Sequence, residues 1–320
     1  MTSARGKTVA IIGAGRLGGA IGRLLALAGC RIVAVTARTR RSAAAAARFI
    51  GAGEPMTDVA AAAGRAALVL ITTSDREIRA VCERIARGGG LRAGVLVAHT
   101  SGAQTRELLD VAREAGALRA VIHPLQSVPS RELGVVNLPG SFFRIEADPG
   151  ARRHVRELLR ALGGKELVLP GWRGDPESAA LYHAGAVAAS NSLVTLLDFA
   201  ARHLQALGAD RRQALRALLP LVRGTLANIE RLGIPAALTG PIARGDAPTI
   251  AGHVAALRVR APELLELYRA LARRTIPLAR EQGGLTAQAA EELLHILQGE
   301  EGATISLVAL RRSAISRSMR

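Results

Sequence analysis

Three histidines stand where a proton could be transferred. His99 opens the run His-Thr-Ser-Gly (99–102), His123 opens His-Pro-Leu-Gln-Ser (123–127), and His183 follows Leu181 and Tyr182 in a long run of small residues. An imidazole titrates at about pH 6.5, so near neutrality it can give or take a proton. Either His99 or His123 could equally be a hydrogen-bonded structural histidine. Around these histidines are groups suited to an oxygen-rich substrate: Ser101, Gln126, Ser127, Ser190 and Asn191. Positions 183, 187 and 191 share one face of a helix, so His183 and Asn191 lie on that face two turns apart. Polar groups among buried small apolar residues need partners, and a ligand carbonyl or carboxylate would serve. Gly185, Ala186 and Ala188 would permit close approach by another helix or a cofactor. Further on, Thr239 and Arg244 belong to the polar run Leu-Thr-Gly-Pro-Ile-Ala-Arg-Gly-Asp (238–246). A guanidinium can hold a carboxylate through two parallel hydrogen bonds, which makes Arg244 a candidate clamp, with pairing to Asp246 as its other use. Asp246 also suits a helix N-cap.

A second constellation is suited to binding phosphates. Gly13-Ala14-Gly15-Arg16-Leu17-Gly18 is a G-x-G-x-x-G between an apolar strand and an apolar-faced helix. Gly13 permits the tight turn, Gly15 lets a pyrophosphate approach the backbone, and Gly18 lets helix and sheet pack closely. The free N–H groups at the helix start favour the anion. The next strand ends in Thr36-Ala37-Arg38-Thr39-Arg40-Arg41, with no carboxylate to hold a ribose 2′-hydroxyl. Arg38, with Arg40 or Arg41, could meet a 2′-phosphate instead, and Thr36, Thr39 or Ser42 could add hydrogen bonds. NADP(H) is therefore the expected cofactor. Thr73 and Ser74 follow another strand and should line the nicotinamide side, with Asp75 as a ligand contact or an N-cap.

These groups need a scaffold that brings strand ends together. The pattern predicts strands over 7–13, 31–37, 67–72, 95–99, 120–123, 142–146 and 166–169. Helices are expected over 16–28, 42–50, 75–87, 105–115 and 152–162. Such alternation implies a mostly parallel, doubly wound sheet covered on both faces, an α/β Rossmann domain. After the Gly- and Pro-punctuated connector 171–176 the pattern turns all-helical, over 177–203, 211–232, 247–258, 261–282 and 287–297. The expected division is 1–172 for the NADP-binding domain and 173–320 for an all-α substrate or dimerisation domain.

Composition narrows the function classes. Of 320 residues, 49% are hydrophobic, enough for a sizeable core, and 2% are aromatic, too few for a base-stacking platform. The formal charge of +17 invites a nucleic-acid reading, but the positive residues are nearly all arginine and are dispersed. Outside the cofactor region the one modest basic cluster is Arg311, Arg312, Arg317 and Arg320. Cys30 and Cys82 are too few for a disulfide framework or a zinc site. The N-terminal residues lack a signal-peptide pattern, and apolar runs are interrupted by Gly or charge. A cytoplasmic protein with no metal, no membrane partner and no specific nucleic acid is expected.

Segments 13–18, 99–102, 123–127, 182–191 and 238–246, in that order, resemble a family of Rossmann-like oxidoreductases with a C-terminal domain of unknown function. That family is related to ketopantoate reductase, 6-phosphogluconate dehydrogenase and pyrroline-5-carboxylate reductase. The resemblance implies an all-helical second domain, often used for homodimerisation, and a site in the cleft between domains. Several enzymes of the wider group carry a lysine one turn before the first polar residue of the interdomain helix. Here that position is Ala179, so a lysine acid is absent unless Lys165 reaches in. The expected reaction is hydride transfer from NADPH to a small 2-keto acid such as ketopantoate. In it His183 is the proton donor, with His99 and His123 as second candidates. Asn191 orients the carbonyl, and Arg244 with Ser127 holds the carboxylate. The alternatives are reduction of an imine, as by pyrroline-5-carboxylate reductase, and NADP sensing without turnover.

Overall fold

The computed structural model describes residues 5–298, so the basic cluster Arg311 to Arg320 lies outside the described residues. Strands and helices alternate first: β1 Thr8–Ile12, α1 Arg16–Leu27, β2 Arg31–Thr36, α2 Arg40–Ile50, β3 Glu54–Met56, α3 Val59–Gly64 and β4 Leu68–Ile71. A 3₁₀ turn, Asp75–Glu77, leads into α4 Ile78–Arg87, then β5 Leu96–His99. A second 3₁₀ turn, Arg106–Leu109, precedes α5 Asp110–Glu114, β6 Leu118–Pro124, α6 Arg131–Asn137 and β7 Phe142–Ala147. A third, Pro149–Ala151, runs into α7 Arg152–Ala161 and β8 Lys165–Leu167. Helices follow: α8 Pro176–Gln205, α9 Arg211–Leu232, α10 Ala247–Arg260, α11 Pro262–Glu281 and α12 Ala287–Gln298.

The eight strands form one sheet in the order β3-β2-β1-β4-β5-β6-β7-β8. Every pairing is parallel except β6 with β7, which runs antiparallel. Side chains alternate between the two faces because the strand repeat is two residues. Val9, Ile11, Leu68, Leu70, Leu96 and Ala98 join one core with α1, α2 and α7. Ala10, Ile12, Val69, Ile71 and Val97 join the other with α3 and α4. That two-sided burial makes the central strands read as unbroken apolar runs.

Two compact units divide within α8, at Asn191 and Ser192, rather than at the connector near residue 172. The first turns of α8 belong with the sheet because Tyr182 hydrogen-bonds His123 at the end of β6. In the second unit Ile250 and Val254 of α10, Ile276 of α11 and Leu293 and Leu297 of α12 form a separate core. Most of α8 is exposed; its fully buried residues are Ala179 and Ala201. The expectation of a buried small-residue face along α8 is thus not met, and Gly185, Val187, Ala188 and Asn191 are exposed.

Candidate active site

The parallel strands β1, β4, β5 and β6 end on one edge of the sheet, and both constellations are built there. At the end of β1, Gly13 takes φ +85°, a left-handed conformation that favours glycine. Its N–H donates to the Thr36 carbonyl and its carbonyl accepts from Thr72 Oγ1 at 3.0 Å. A Cβ on Gly18 would sit 2.1 Å from Thr72 Oγ1, so only glycine lets α1 approach β4 this closely. Gly15 caps α1 without a side-chain bond, and the space beside it is open, a Cβ there meeting nothing nearer than 3.9 Å. The first turn of α1 carries no acidic residue. Its leading N–H groups, from Arg16 and Leu17 onward, have no intrahelical acceptors. A groove of about 860 Å³ runs past Gly13, Gly15, Thr36, Arg38, Ser42, Thr73 and Ser74. Thr73 Oγ1 is buried there without a hydrogen-bond partner among the described residues. Open glycine backbone, unpaired helix N–H groups and an orphaned hydroxyl together fit a dinucleotide pyrophosphate.

The far end of the groove differs in detail from expectation. Arg38 and Ser42 line it, but Thr39 is occupied as the N-cap of α2, accepting from Ser42 N at 3.1 Å. Arg40 is exposed on the first turn of α2 and is not part of the groove wall. Arg76 and Arg84 line the groove as well, and so does Arg131. Arg131 donates to the carbonyls of Ala14 at 2.7 Å and Gly15 at 3.0 Å, fixing the glycine turn from α6. None of these three arginines was anticipated, because each lies beyond the short motifs in an arginine-rich chain.

The histidines at the ends of β5 and β6 have different roles. His99 is fully buried, with Nε2 at 2.9 Å from the Thr105 carbonyl and Nδ1 accepting from Ser101 N at 3.2 Å. Both nitrogens are used, and burial lowers its pKa to about 4. His99 is therefore a neutral structural histidine that shapes the 99–105 loop, which corrects its candidacy as proton donor. Ser101 is also committed: it is buried and its hydroxyl donates to Asp75 at 2.7 Å, tying the ends of β4 and β5 together. Asp75 accordingly accepts a side-chain bond and does not cap its turn. Gln126 spans to the Asn137 carbonyl and Ser141 Oγ, both at 3.2 Å, and its own oxygen accepts from Ser127 N. Its amide is spent on that loop, whereas Ser127 is exposed.

His123 and His183 meet over Gly102. Their rings lie 5.9 Å apart, edge to face. A Cβ on Gly102 would stand 2.6 Å from His183 Nδ1 and 2.7 Å from His123 Nε2. His183 Nδ1 is buried and has no hydrogen-bond partner among the described residues. His123 Nδ1 lies 2.8 Å from the Tyr182 hydroxyl. Burial above all, then the charges of Arg144, His183 and His99, lower the His123 pKa to about 3. Burial raises Tyr182 to about 12, against the pull of Arg144. Neutral His123 therefore meets a protonated phenol.

Arg144 is the residue beneath this cluster that the sequence reading passed over. Its side chain is 2% exposed, with Glu146 at 3.4 Å and with bonds to the carbonyls of Ser101 and Gln104. The guanidinium lies 4.4 Å from the Trp172 ring and 5.4 Å from Tyr182. An arginine inside the apolar run Phe-Phe-Arg-Ile was the available signal. Ala179 is fully buried, and the Lys165 ammonium lies over the Phe142 ring at 5.6 Å. In the second unit, Asp246 caps α10 by accepting from Thr249 N, and Arg244 and Thr239 are exposed.

Fold and groove define a Rossmann-like nucleotide-binding unit joined to a helical region. Residues 1–124 match the model of the Rossmann-like domain, and residues 141–275 match that of a domain of unknown function, DUF2520. The chain thus joins these two domains in the order implied by the resemblance. A provisionally named NADP oxidoreductase from Bacteroides fragilis is 25% identical over 86% of this chain and 100% of its own, with a TM-score of 0.68. A protein from Thermotoga maritima is 24% identical over 89% of this chain and 98% of its own, at 0.61. A reductive aminase from Aspergillus terreus, solved with NADPH and ethyl-5-oxohexanoate, is 18% identical over 92% and 93%, at 0.54. The last two likenesses are ones of fold. Among curated proteins, none matches the chain.

Proposed function

We propose that this protein is an NADP(H)-dependent reductase acting on the carbonyl of a small 2-keto acid, in the manner of ketopantoate reductase. One observation carries the reading: His183 Nδ1, buried and unpartnered, faces His123 across Gly102 on the sheet edge that also bears the glycine turn. A buried polar atom without a partner, beside a titratable neighbour, is a place for a reacting group. The Bacteroides fragilis relative is named an NADP oxidoreductase, and the Aspergillus terreus fold relative was solved with NADPH.

Gly13, Gly15, Arg16, Leu17 and Gly18 would hold the pyrophosphate, Arg38 and Ser42 the adenosine 2′-phosphate, and Thr73 and Ser74 the nicotinamide side, where the cofactor would supply hydride. The Tyr182 hydroxyl donates a hydrogen bond to His123 Nδ1, which leaves the imidazole proton on Nε2, facing Gly102. That N–H holds the substrate oxygen, and His183 delivers the proton that completes the alcohol. Asn191 orients the carbonyl. Ser127 is the candidate for the carboxylate within the first unit, and a second copy of the chain is the expected partner.

The test is NADPH oxidation across a panel of 2-keto acids including ketopantoate, with NADH alongside. His183→Ala should lower kcat by about 10²–10⁴-fold, the usual worth of a general acid. Unchanged turnover would remove His183 from the role. A second reading, reduction of a cyclic imine, is favoured by the buried alanine at 179 and the distant Lys165, which leave no ammonium acid. An imine that arrives protonated needs little help from an acid, so His183→Ala retaining activity on a cyclic imine would select that reading.

A further inference from the structure

Beside the Arg144 guanidinium, lined by Ile145, Glu146 and Ala147 of β7 and by Trp172, is a cavity of about 200 Å³ that the proposed reaction does not use. It is smaller than the roughly 300–1,000 Å³ of sites for drug-sized ligands. Four guanidinium groups line it, from Arg106, Arg152, Arg156 and Arg173, against the carboxylates of Glu146 and Glu166. Both carboxylates are already engaged. Glu146 lies 3.6 Å from Arg106 and 3.4 Å from the buried Arg144, and Glu166 lies 3.5 Å from Arg156. Arg152 and Arg173 form no ion pair with a carboxylate among the described residues, so the cavity keeps an excess of positive charge. The indole of Trp172 also lines it, and its N–H is buried with no acceptor among the described residues. Trp172 Nε1 and Glu146 Oε1 each lie 3.9 Å from where a Cβ of Gly174 would stand, so this glycine leaves the space in front of the indole N–H open.

Scattered surface arginines need no explanation in a chain of this charge. Convergence on one concavity with an orphaned donor does. Guanidinium groups and an indole N–H are all donors and present nothing to a cation. They match an oxyanion, which accepts on every face. We propose that this cavity is a binding site for a compact oxyanion carrying two or more negative charges, of the size of phosphate or pyrophosphate, separate from the dinucleotide groove. Arg152 and Arg173 bind its charge, and Trp172 donates to one oxygen.

Trp172 is the only tryptophan in the chain, so its fluorescence reports on the site without any assay of turnover. The full-length protein is titrated with inorganic phosphate, pyrophosphate and malonate at ionic strength fixed with chloride. A saturable change in tryptophan emission with at least one of them is expected, and the strongest response tells a phosphoryl ligand from a dicarboxylate. Arg152→Glu should weaken that response by about tenfold or more, the worth of one charge-assisted hydrogen bond. Arg48→Ala, a loss of exposed charge on α2, should leave it unchanged. Arg152 is exposed, so the variant is expected to fold, and its far-UV circular dichroism checks this. A linear, non-saturating response to all three anions overturns the proposal, as does equal affinity in Arg152→Glu. Loss of the response when NADP⁺ saturates the protein also overturns it, by placing the anion in the groove. The Arg152→Glu comparison holds whether or not the reductase reading survives.

Discussion

At the scale of single residues, the site depends on what is missing at Gly102. Its α-carbon faces both His123 Nε2 and His183 Nδ1, and a methyl group there would overlap the two nitrogens that are to hold the substrate oxygen. Gly102→Ala should therefore cut turnover by about 10²-fold or more, the usual result of displacing reacting groups by an ångström. Cofactor affinity should stay intact, because the glycine turn is elsewhere. Stopped-flow turnover and NADPH titration separate the two effects, and parallel losses would argue against a site at Gly102. Arg131 predicts the reverse pattern. Its guanidinium bonds the carbonyls of Ala14 and Gly15, and Arg131→Ala should weaken NADPH binding by about tenfold, one charge-assisted bond, while kcat at saturation holds. The glycine turn was legible in the sequence because its spacing carries meaning. Arg131, Arg144 and Trp172 were not, because they act through contacts with distant segments that no local pattern encodes.

At the scale of elements, β5 and β6 carry His99 and His123 as neutral groups, and this has a consequence for stability. Folded, the two imidazoles stay unprotonated down to about pH 4 and about pH 3, chiefly because burial disfavours their charge. Unfolded, each takes up a proton below about pH 6.5. In that window the unfolded chain binds more protons, so their stabilising contribution is complete above about pH 6.5 and declines as the pH falls toward the folded values. The slope is about 1.4 kcal/mol per pH unit for each histidine. Melting temperature should drop between pH 6.5 and 4.5, and His99→Gln, which can keep the bond to the Thr105 carbonyl, should flatten the drop. An identical slope in the variant would assign the acid sensitivity to other groups. The strands themselves were easy to read, since burial on both faces leaves continuous apolar runs such as Leu68–Ile71. β3 Glu54–Met56, α3 Val59–Gly64 and α6 Arg131–Asn137 were not legible, being too short to show a period. Composition sets the expected domain boundary at the connector near residue 172, whereas the two compact units divide within α8, whose Tyr182 hydrogen-bonds His123.

At the scale of the whole molecule, the helices leave apolar surface that the other described residues do not cover. Along α9 a single residue, Ala214, is buried, while Leu221 is 67% exposed, Leu226 50% and Leu232 60%. Along α8, Val187 and Val194 are exposed too, and α8 is long and apolar enough to cross a membrane by length and composition. Its sequence is a poor match to lipid, however: Tyr182 and His183 are committed to the histidine cluster, and Asp198 pairs with Arg202 and Arg211. A second copy of the chain suits such surfaces better, since burying apolar area is worth about 25 cal/mol per Å² and a dimer interface supplies protein on both sides. Sedimentation equilibrium at micromolar concentration should find twice the mass of one chain. Leu226→Glu combined with Leu232→Glu should shift it toward the mass of one chain, since two carboxylates cannot be desolvated without partners. A wild-type protein that sediments as a single chain at every concentration, without detergent, would leave those leucines without a self-association role and refute the dimer.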